Sequence, residues 1–412
     1  MFRILKPNHF QHAKRLVNPD PKWLRATFYK TSVPENKKYN DFKRFQEQRS
    51  LFHTTKPCNI PPMLALILRP ILRVGAFLAG RQIKKWWSKR TEKEKDEYRL
   101  WFRENTITFV GSLAFMIFLS IVYYLSHLET EPITKRRRFI MFNKNQKDNL
   151  YKVLFEMHLQ EHKAHIVPGS HPVYLRLKKV VENIIDKNSD LITSEYKPWT
   201  LTVVDLPLRN AYVLPGRNIF VFTGVLQVAE NDDQLSFILT HEMAHALLEH
   251  SMEQISREFF VDLFLIIPTI CVWAIFPDVK ALLIHLLGLS IVNVFSDLPH
   301  ARKLENEADD IGIILSAKAC VDVREIVVFW DLMHKITDSG DEIKEIPWLS
   351  THPTHADRSK RINKKIPTAL KMREEAGCPP LDSRDPRDDY SKRSKAENEE
   401  MLRRRGIVIN LS

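Results

Sequence analysis

The sequence predicts an α+β protein: a mainly helical domain with a small antiparallel sheet, tethered by one N-terminal transmembrane helix. Three observations carry that expectation. Ile107–Leu125 (ITFVGSLAFMIFLSIVYYL) is a run of nineteen residues without a charge. Helical periodicity over Asn145–Asn188 gives way to two alternating or apolar runs, LTVVD (Leu201–Asp205) and NIFVFTGVL (Asn218–Leu226), which read as strands. A second helical stretch, Gln234–Ile255, follows the N-cap candidates Asn231, Asp232 and Asp233 and carries the pentad HEMAH.

Composition excludes several classes before any element is placed. The chain has 412 residues, 44% of them hydrophobic, so it is neither wholly disordered nor short of core material. Eleven glycines without a repeat exclude collagen-like and solenoid folds, and four cysteines are too few for a disulfide scaffold. The net charge of +12 is unevenly placed: residues 1–105 hold 24 Lys+Arg against 9 Asp+Glu, whereas the remainder is slightly acidic. No zinc-finger, RNA-recognition or helix-turn-helix pattern accompanies the charge, so no nucleic-acid partner is expected.

Residues 1–51 read as a mitochondrial presequence. Met1–Lys30 carries seven basic residues and one acid, Asp20, with no secretory-type apolar core. RSLFHTT (Arg49–Thr55) resembles a processing site cut near Leu51–Phe52. Residues 52–105 read as a basic membrane-surface segment: Met63–Gly80 is apolar but includes Arg69 and Arg73, and RQIKKWWSKR follows. A core helix is the alternative for Met63–Gly80. Residues 106–126 form the transmembrane helix, whose apolar length at about 1.5 Å per residue just spans a core of roughly 30 Å. Nine Lys+Arg in 81–105 against six in 126–150 place the N-terminal side in the matrix and the rest in the intermembrane space.

The domain at 140–380 holds the chemistry. At about 100° per residue, His241 and His245 share one helical face and can bind one metal through their ring nitrogens. Glu242 lies beside them, placed to take a proton from an attacking water, and this is the metalloprotease arrangement of a zincin-type domain. A third ligand is needed. The metzincin pattern would require Gly at 248 and His at 251, but Leu248 and Ser251 occupy those positions, and on a continuous helix His250 falls away from the ligand face. In LENEADDIG, Glu305 and Asp309 are one turn apart: Glu305 can complete the site while Asp309 holds a ligand imidazole by its second nitrogen. Glu307 competes as ligand but turns away from the Asp309 face. One Zn2+ per chain is expected.

HEMAH, the downstream E-x-x-A-D, NAYVLP and VFTGVL before them and THPTHADR after them together resemble the gluzincins of the HtpX and CAAX prenyl protease family, and within it a mitochondrial inner-membrane branch. The resemblance covers about 52–380. It implies His241, His245 and Glu305 as zinc ligands, Glu242 as general base and Asp309 behind a ligand histidine. It matches His352 and Arg358 to the family's last motif, with His352 as a donor to the oxyanion and His355 as its rival; a structural histidine in a turn is the other reading. Asn210 and Ala211 would mark a sheet edge to which an extended substrate adds as a strand. The resemblance further implies a stress-activated endopeptidase that cleaves inner-membrane proteins, among them the dynamin-like fusion GTPase and itself, and that assembles as a homo-oligomer.

Three readings complete the sequence. The hydrophobic insertion 259–295 comprises Phe259–Phe276 and Ala281–Val294. Because Glu305 must return to His241, it crosses a bilayer twice or not at all, and Asp262 favours a hairpin resting on or dipping into the membrane. Residues 381–412 are densely charged and read as a flexible tail. Cys320 and Cys378 lie on the two segments that close around the metal, where a disulfide and two separate buried thiols are both open readings. A membrane-tethered pseudoprotease scaffold is the alternative function; the presence of both ligands and base argues against it.

Overall fold

A computed structural model describes residues 62–192, 198–339, 352 and 356–404. The expected presequence and the first ten residues of the basic segment lie outside the described residues. Residues 59–412 cluster as one compact unit, and the described part is mainly helical.

The chain opens with three helices, α1 (Pro62–Ser88), α2 (Glu92–Glu104) and α3 (Thr106–Ser126). α2 begins at a reciprocal cap in which the Thr91 hydroxyl accepts from the Glu94 N–H and the Glu94 carboxylate accepts from the Thr91 N–H. None of α3 is buried. A short antiparallel hairpin follows, β1 (Leu128–Thr130) and β2 (Arg137–Phe139), then α4 (Lys144–His162) and α5 (Pro172–Lys187). The apolar stripe read on α5 is used as expected: Val181 and Ile184 are buried and Val180 and Ile185 pack against them.

The sheet departs from expectation. Its strands are β3 (Thr200–Val204), β4 (Ala211–Leu214) and β5 (Asn218–Phe222), in the order β3-β5-β4. β4 pairs with β5 antiparallel, but β3 pairs with β5 in parallel, so the sheet is mixed rather than antiparallel. The physical reason is the extra strand. Gly216 and Arg217, both at positive φ, turn NAYVL back on β5 as a hairpin, which leaves β3 only the opposite edge of β5.

α6 (Asp232–Leu247) runs through the centre of the core, with every residue from Gln234 to Ala244 buried. Asn231 caps it, its side chain accepting from the Gln234 N–H. The helix expected over Gln234–Ile255 is broken at Glu249, which takes the left-handed conformation (φ 48°), and α7 (His250–Ile275) leaves in a new direction. α8 (Asp278–Val292) returns and passes through a π turn (Asn293–Asp297) into α9 (Leu298–Lys318). α9 packs on α6 so closely that a Cβ on Gly312 would lie 3.3 Å from the His241 backbone. α10 (Glu325–Ser339), α11 (Ala356–Asn363), α12 (Ile366–Glu375) and α13 (Pro386–Arg404) follow.

Three further expectations meet the structure here. Among the described residues, three helical stretches are long and apolar enough to cross a membrane, Thr106–Ser126, His250–Ile275 and the continuous Asp278–Lys318, where the sequence suggested a single N-terminal span. The helix that holds Met63–Gly80 packs along α7, with Arg69 and Arg73 both paired to Asp262. The charged tail is helical through Arg404, with Asp388 and Asp389 in its first turn and Arg393 paired to Glu230. Charge density alone did not reveal that neutralisation.

Candidate metal centre

α6 and α9 bring the donors together. Nε2 of His241 lies 3.2 Å from Nε2 of His245, and Glu305 places its two oxygens 3.5 Å and 3.4 Å from those nitrogens. His352 arrives from the segment before α11, its Nδ1 3.3 Å from Nε2 of His241 and 3.0 Å from Glu305 Oε1. These four residues form a group whose ligand atoms all lie within 4.8 Å of one another. Tetrahedral ligands at about 2.0–2.1 Å from zinc sit about 3.3–3.4 Å apart, so the spacing fits the ion. Nitrogen lone pairs aimed at one another and at a carboxylate across such distances are the donor set of a cation site.

The surrounding groups orient the donors. Asp309, fully buried, places Oδ1 3.2 Å from Nδ1 of His241. Arg358 holds Asp309 through two hydrogen bonds of 2.7 Å and 2.8 Å, reaches Glu305 at 3.1 Å, and lies 3.7 Å above the Trp330 ring. Arg361 adds a third donor to Asp309. Burial opposes the charge on Asp309, but Arg358 and His241 outweigh it and hold the carboxyl below the usual range. Glu305 is held low in the same way, burial being outweighed by His352 and the other imidazoles.

Glu242 lies beside the donor group, with Oε1 3.1 Å from Nε2 of His352. Burial would raise its pKa, yet His352 and the two neighbouring imidazoles bring it to about 2. Burial would lower His352, but Glu242 and Glu305 raise it to about 10. His245 has the reverse balance: burial outweighs Glu305 and lowers it to about 4, leaving a neutral imidazole at pH 7. Asn210 and Ala211 lie at the entry to β4, the outer strand on this side of the sheet, which packs against α6. The Asn210 carbonyl accepts from the Phe222 N–H and Ala211 pairs with Val221, so both belong to the ladder with β5.

Sequence reasoning missed one layer. Nδ1 of His250 is 2.9 Å from Nδ1 of His245, and Nε2 of His250 faces Glu307 at 3.4 Å. Glu307 in turn meets Arg136, which also binds Glu253. His250 stays outside the donor group, as its helical phase implied, but the left-handed turn at Glu249 brings it in behind His245. The missed signal was the pair of histidines five residues apart with no apolar spacer at 249. The structure turns Glu307 away from the donor group, as its phase on α9 suggested. It also joins Cys320 to Cys378 in a disulfide that ties the end of α9 to the segment after α12.

A model of peptidase family M48 matches residues 175–366. The mitochondrial metalloendopeptidase OMA1 of Danio rerio is 35% identical over 347 residues, covering 83% of this chain and 72% of that protein. That of Bos taurus is 38% identical over 339 residues, covering 82% of this chain and 65% of its own length. The chain belongs to peptidase family M48. The Saccharomyces cerevisiae OMA1 metalloendopeptidase is 26% identical over 266 residues, covering 62% and 74%. This M48 chain therefore spans about two thirds of the length of the bovine relative. The M48 match begins inside α5, ends at the first residue of α12 and includes every residue of the donor group, Glu242, Asp309 and Arg358.

Proposed function

We propose that the chain is a zinc metalloendopeptidase anchored in the mitochondrial inner membrane. The observation that carries the reading is the convergence of His241, His245 and Glu305 at ligand spacing with Glu242 beside them. Zinc held by those three residues would supply a Lewis acid for water and for the scissile carbonyl. Glu242 takes the proton from the attacking water and delivers it to the leaving amine. Asp309 fixes the tautomer and orientation of His241, and Arg358 keeps Asp309 ionised and aimed. His352, beside Glu242 and the donor group, is placed to donate to the oxygen that gains charge.

Substrate enters as an extended strand along β4 beside α6, with Asn210 and Ala211 at its start, so that main-chain hydrogen bonds tolerate many sequences. The OMA1 relatives support a mitochondrial metalloendopeptidase, and the finer cellular reading follows the family resemblance of the sequence: stress-activated quality control in the inner membrane, a catalytic domain in the intermembrane space, cleavage of the dynamin-like fusion GTPase and of the chain itself, and assembly as a homo-oligomer. α3 supports the anchor, being long, apolar and unburied. The pseudoprotease scaffold is disfavoured because the donor set and the base are all in place.

Purification in detergent, metal analysis and a peptide-cleavage assay with and without chelator test the reading. One zinc per chain and chelator-sensitive cleavage are expected. A stoichiometric metal with no cleavage of any unfolded protein would support the scaffold instead.

A further inference from the structure

α1 and α7 run side by side in the same direction. Arg69 meets Glu258 and Asp262, Arg73 meets Asp262, Phe77 stacks edge-on against Trp273 at 4.4 Å, Lys84 donates to the Phe276 carbonyl, and Arg81 reaches Asp278. The crossing is tight at Gly80, where a Cβ would lie 2.6 Å from the Ile270 carbonyl. Both ends of α3 are placed relative to this pair. Its first turn lies against α2, through Trp101 and Phe109, and α2 joins the end of α1 through Tyr98 and Trp86. Its last turn reaches the start of α7, through Tyr124 and Phe260. α3 therefore runs opposite to α1 and α7, and α8, returning from Asp278, runs with α3.

All four helices carry apolar surface that the described residues leave open. Ile107, Phe115 and Phe118 on α3 are 88%, 59% and 58% exposed, Ile275 on α7 is 70%, and Leu283 and Leu287 on α8 are 61% and 62%. The apolar part of each is about 22–31 Å long at 1.5 Å per residue, with α8 continuing through the π turn, close to a hydrocarbon core of roughly 30 Å. Asp262, which as an isolated charge would argue against burial in lipid, is only 3% exposed and is neutralised by Arg69 and Arg73 about one turn inside the bundle. Aromatic rings gather at each end, Tyr123, Tyr124, Phe139 and Phe260 at one and Trp86, Trp87, Tyr98 and Trp101 at the other.

We propose that α1, α3, α7 and α8 are four crossings of a lipid bilayer, with Pro62 on the same side as the donor group and α2 on the opposite side. The partner of the open apolar surface is lipid, and the arrangement places the nine Lys+Arg of residues 81–105 together on the far face. The inference rests on the membrane anchoring proposed above and is independent of catalysis.

Labelling with a membrane-impermeant maleimide tests it in mitoplasts carrying the full chain. Cys271→Ser leaves Cys58, four residues before α1, as the reactive thiol, since Cys320 and Cys378 are bonded. Ser170→Cys and Lys93→Cys, each with Cys58→Ser and Cys271→Ser, report the catalytic domain and α2. Cys58 and Ser170→Cys are expected to label together, within about twofold, while Lys93→Cys labels at least about tenfold more after detergent. Cys58 following Lys93→Cys would mean that α1 does not cross and would overturn the proposal. All three labelling alike would mean that the helices lie on the surface, and would overturn it too. The mirror result, with only Lys93→Cys accessible in intact mitoplasts, would uphold the four crossings and reverse the orientation given under the proposed function.

Discussion

α6 and α3 are both apolar helices, yet they have opposite surroundings. α6 is enclosed by protein from Gln234 to Ala244, whereas α3 has no buried residue. The polar residues show the difference. α6 carries Thr240, His241 and Glu242 into the core, and each has a partner: Thr240 meets Ser316 at 2.8 Å, His241 meets Asp309, and Glu242 meets His352. α3 carries no charge at all, and its Ser120 hydroxyl donates to its own helix at the Met116 carbonyl. Hydrophobicity alone does not separate the two helices. Which polar groups each brings, and what waits to pair with them, decides whether protein can enclose it.

The largest expected effect falls on that enclosed polar row. Glu242→Gln keeps the shape of the side chain but cannot accept a proton, so peptide cleavage should fall at least about 100-fold while one zinc per chain remains bound. Turnover within about tenfold of the parent would remove Glu242 from the base role. On the neighbouring helix, Glu305→Ala should lose zinc on dialysis, whereas Glu307→Ala should keep it, because Glu307 faces His250 and Arg136 rather than the donor group. Equal zinc loss in the two variants, read by metal content, would undo the ligand assignment.

The helix comparison itself is sharpened by a matched pair. Phe237→Ala empties a fully buried site on α6 and should cost about 3–5 kcal/mol in detergent unfolding. Phe115→Ala on α3, 59% exposed, should change detergent unfolding by under about 0.5 kcal/mol. Similar losses at both sites would mean that α3 is packed against protein. A smaller or more variable effect is expected for Cys320→Ser: the bond closes a loop of 58 residues, and chain entropy puts its contribution at up to about 4 kcal/mol. A melting temperature equal to that of the parent would show that packing alone holds α9 to the segment after α12.

HEMAH was legible because two histidines and a glutamate at helical spacing need no tertiary information to share a face, and Glu305 and Asp309 were legible for the same reason. The apolar stretch 107–125 declared itself by length. Beyond one helix the rules changed. β4 was hidden because four residues between a proline and a glycine carry too little pattern to outweigh loop chemistry, and its presence reversed the direction of β3. The contact of His250 with His245 was hidden because one residue at positive φ redirects the chain at Glu249. The pairing of Asp262 was invisible because its partners, Arg69 and Arg73, stand about 190 positions earlier in the chain. Sequence by itself determined the chemistry and the local elements, which depend on neighbours within a turn or two. Strand direction, the layer behind His245 and the neutralisation of Asp262 depend on contacts between distant segments, and those only the tertiary structure decided.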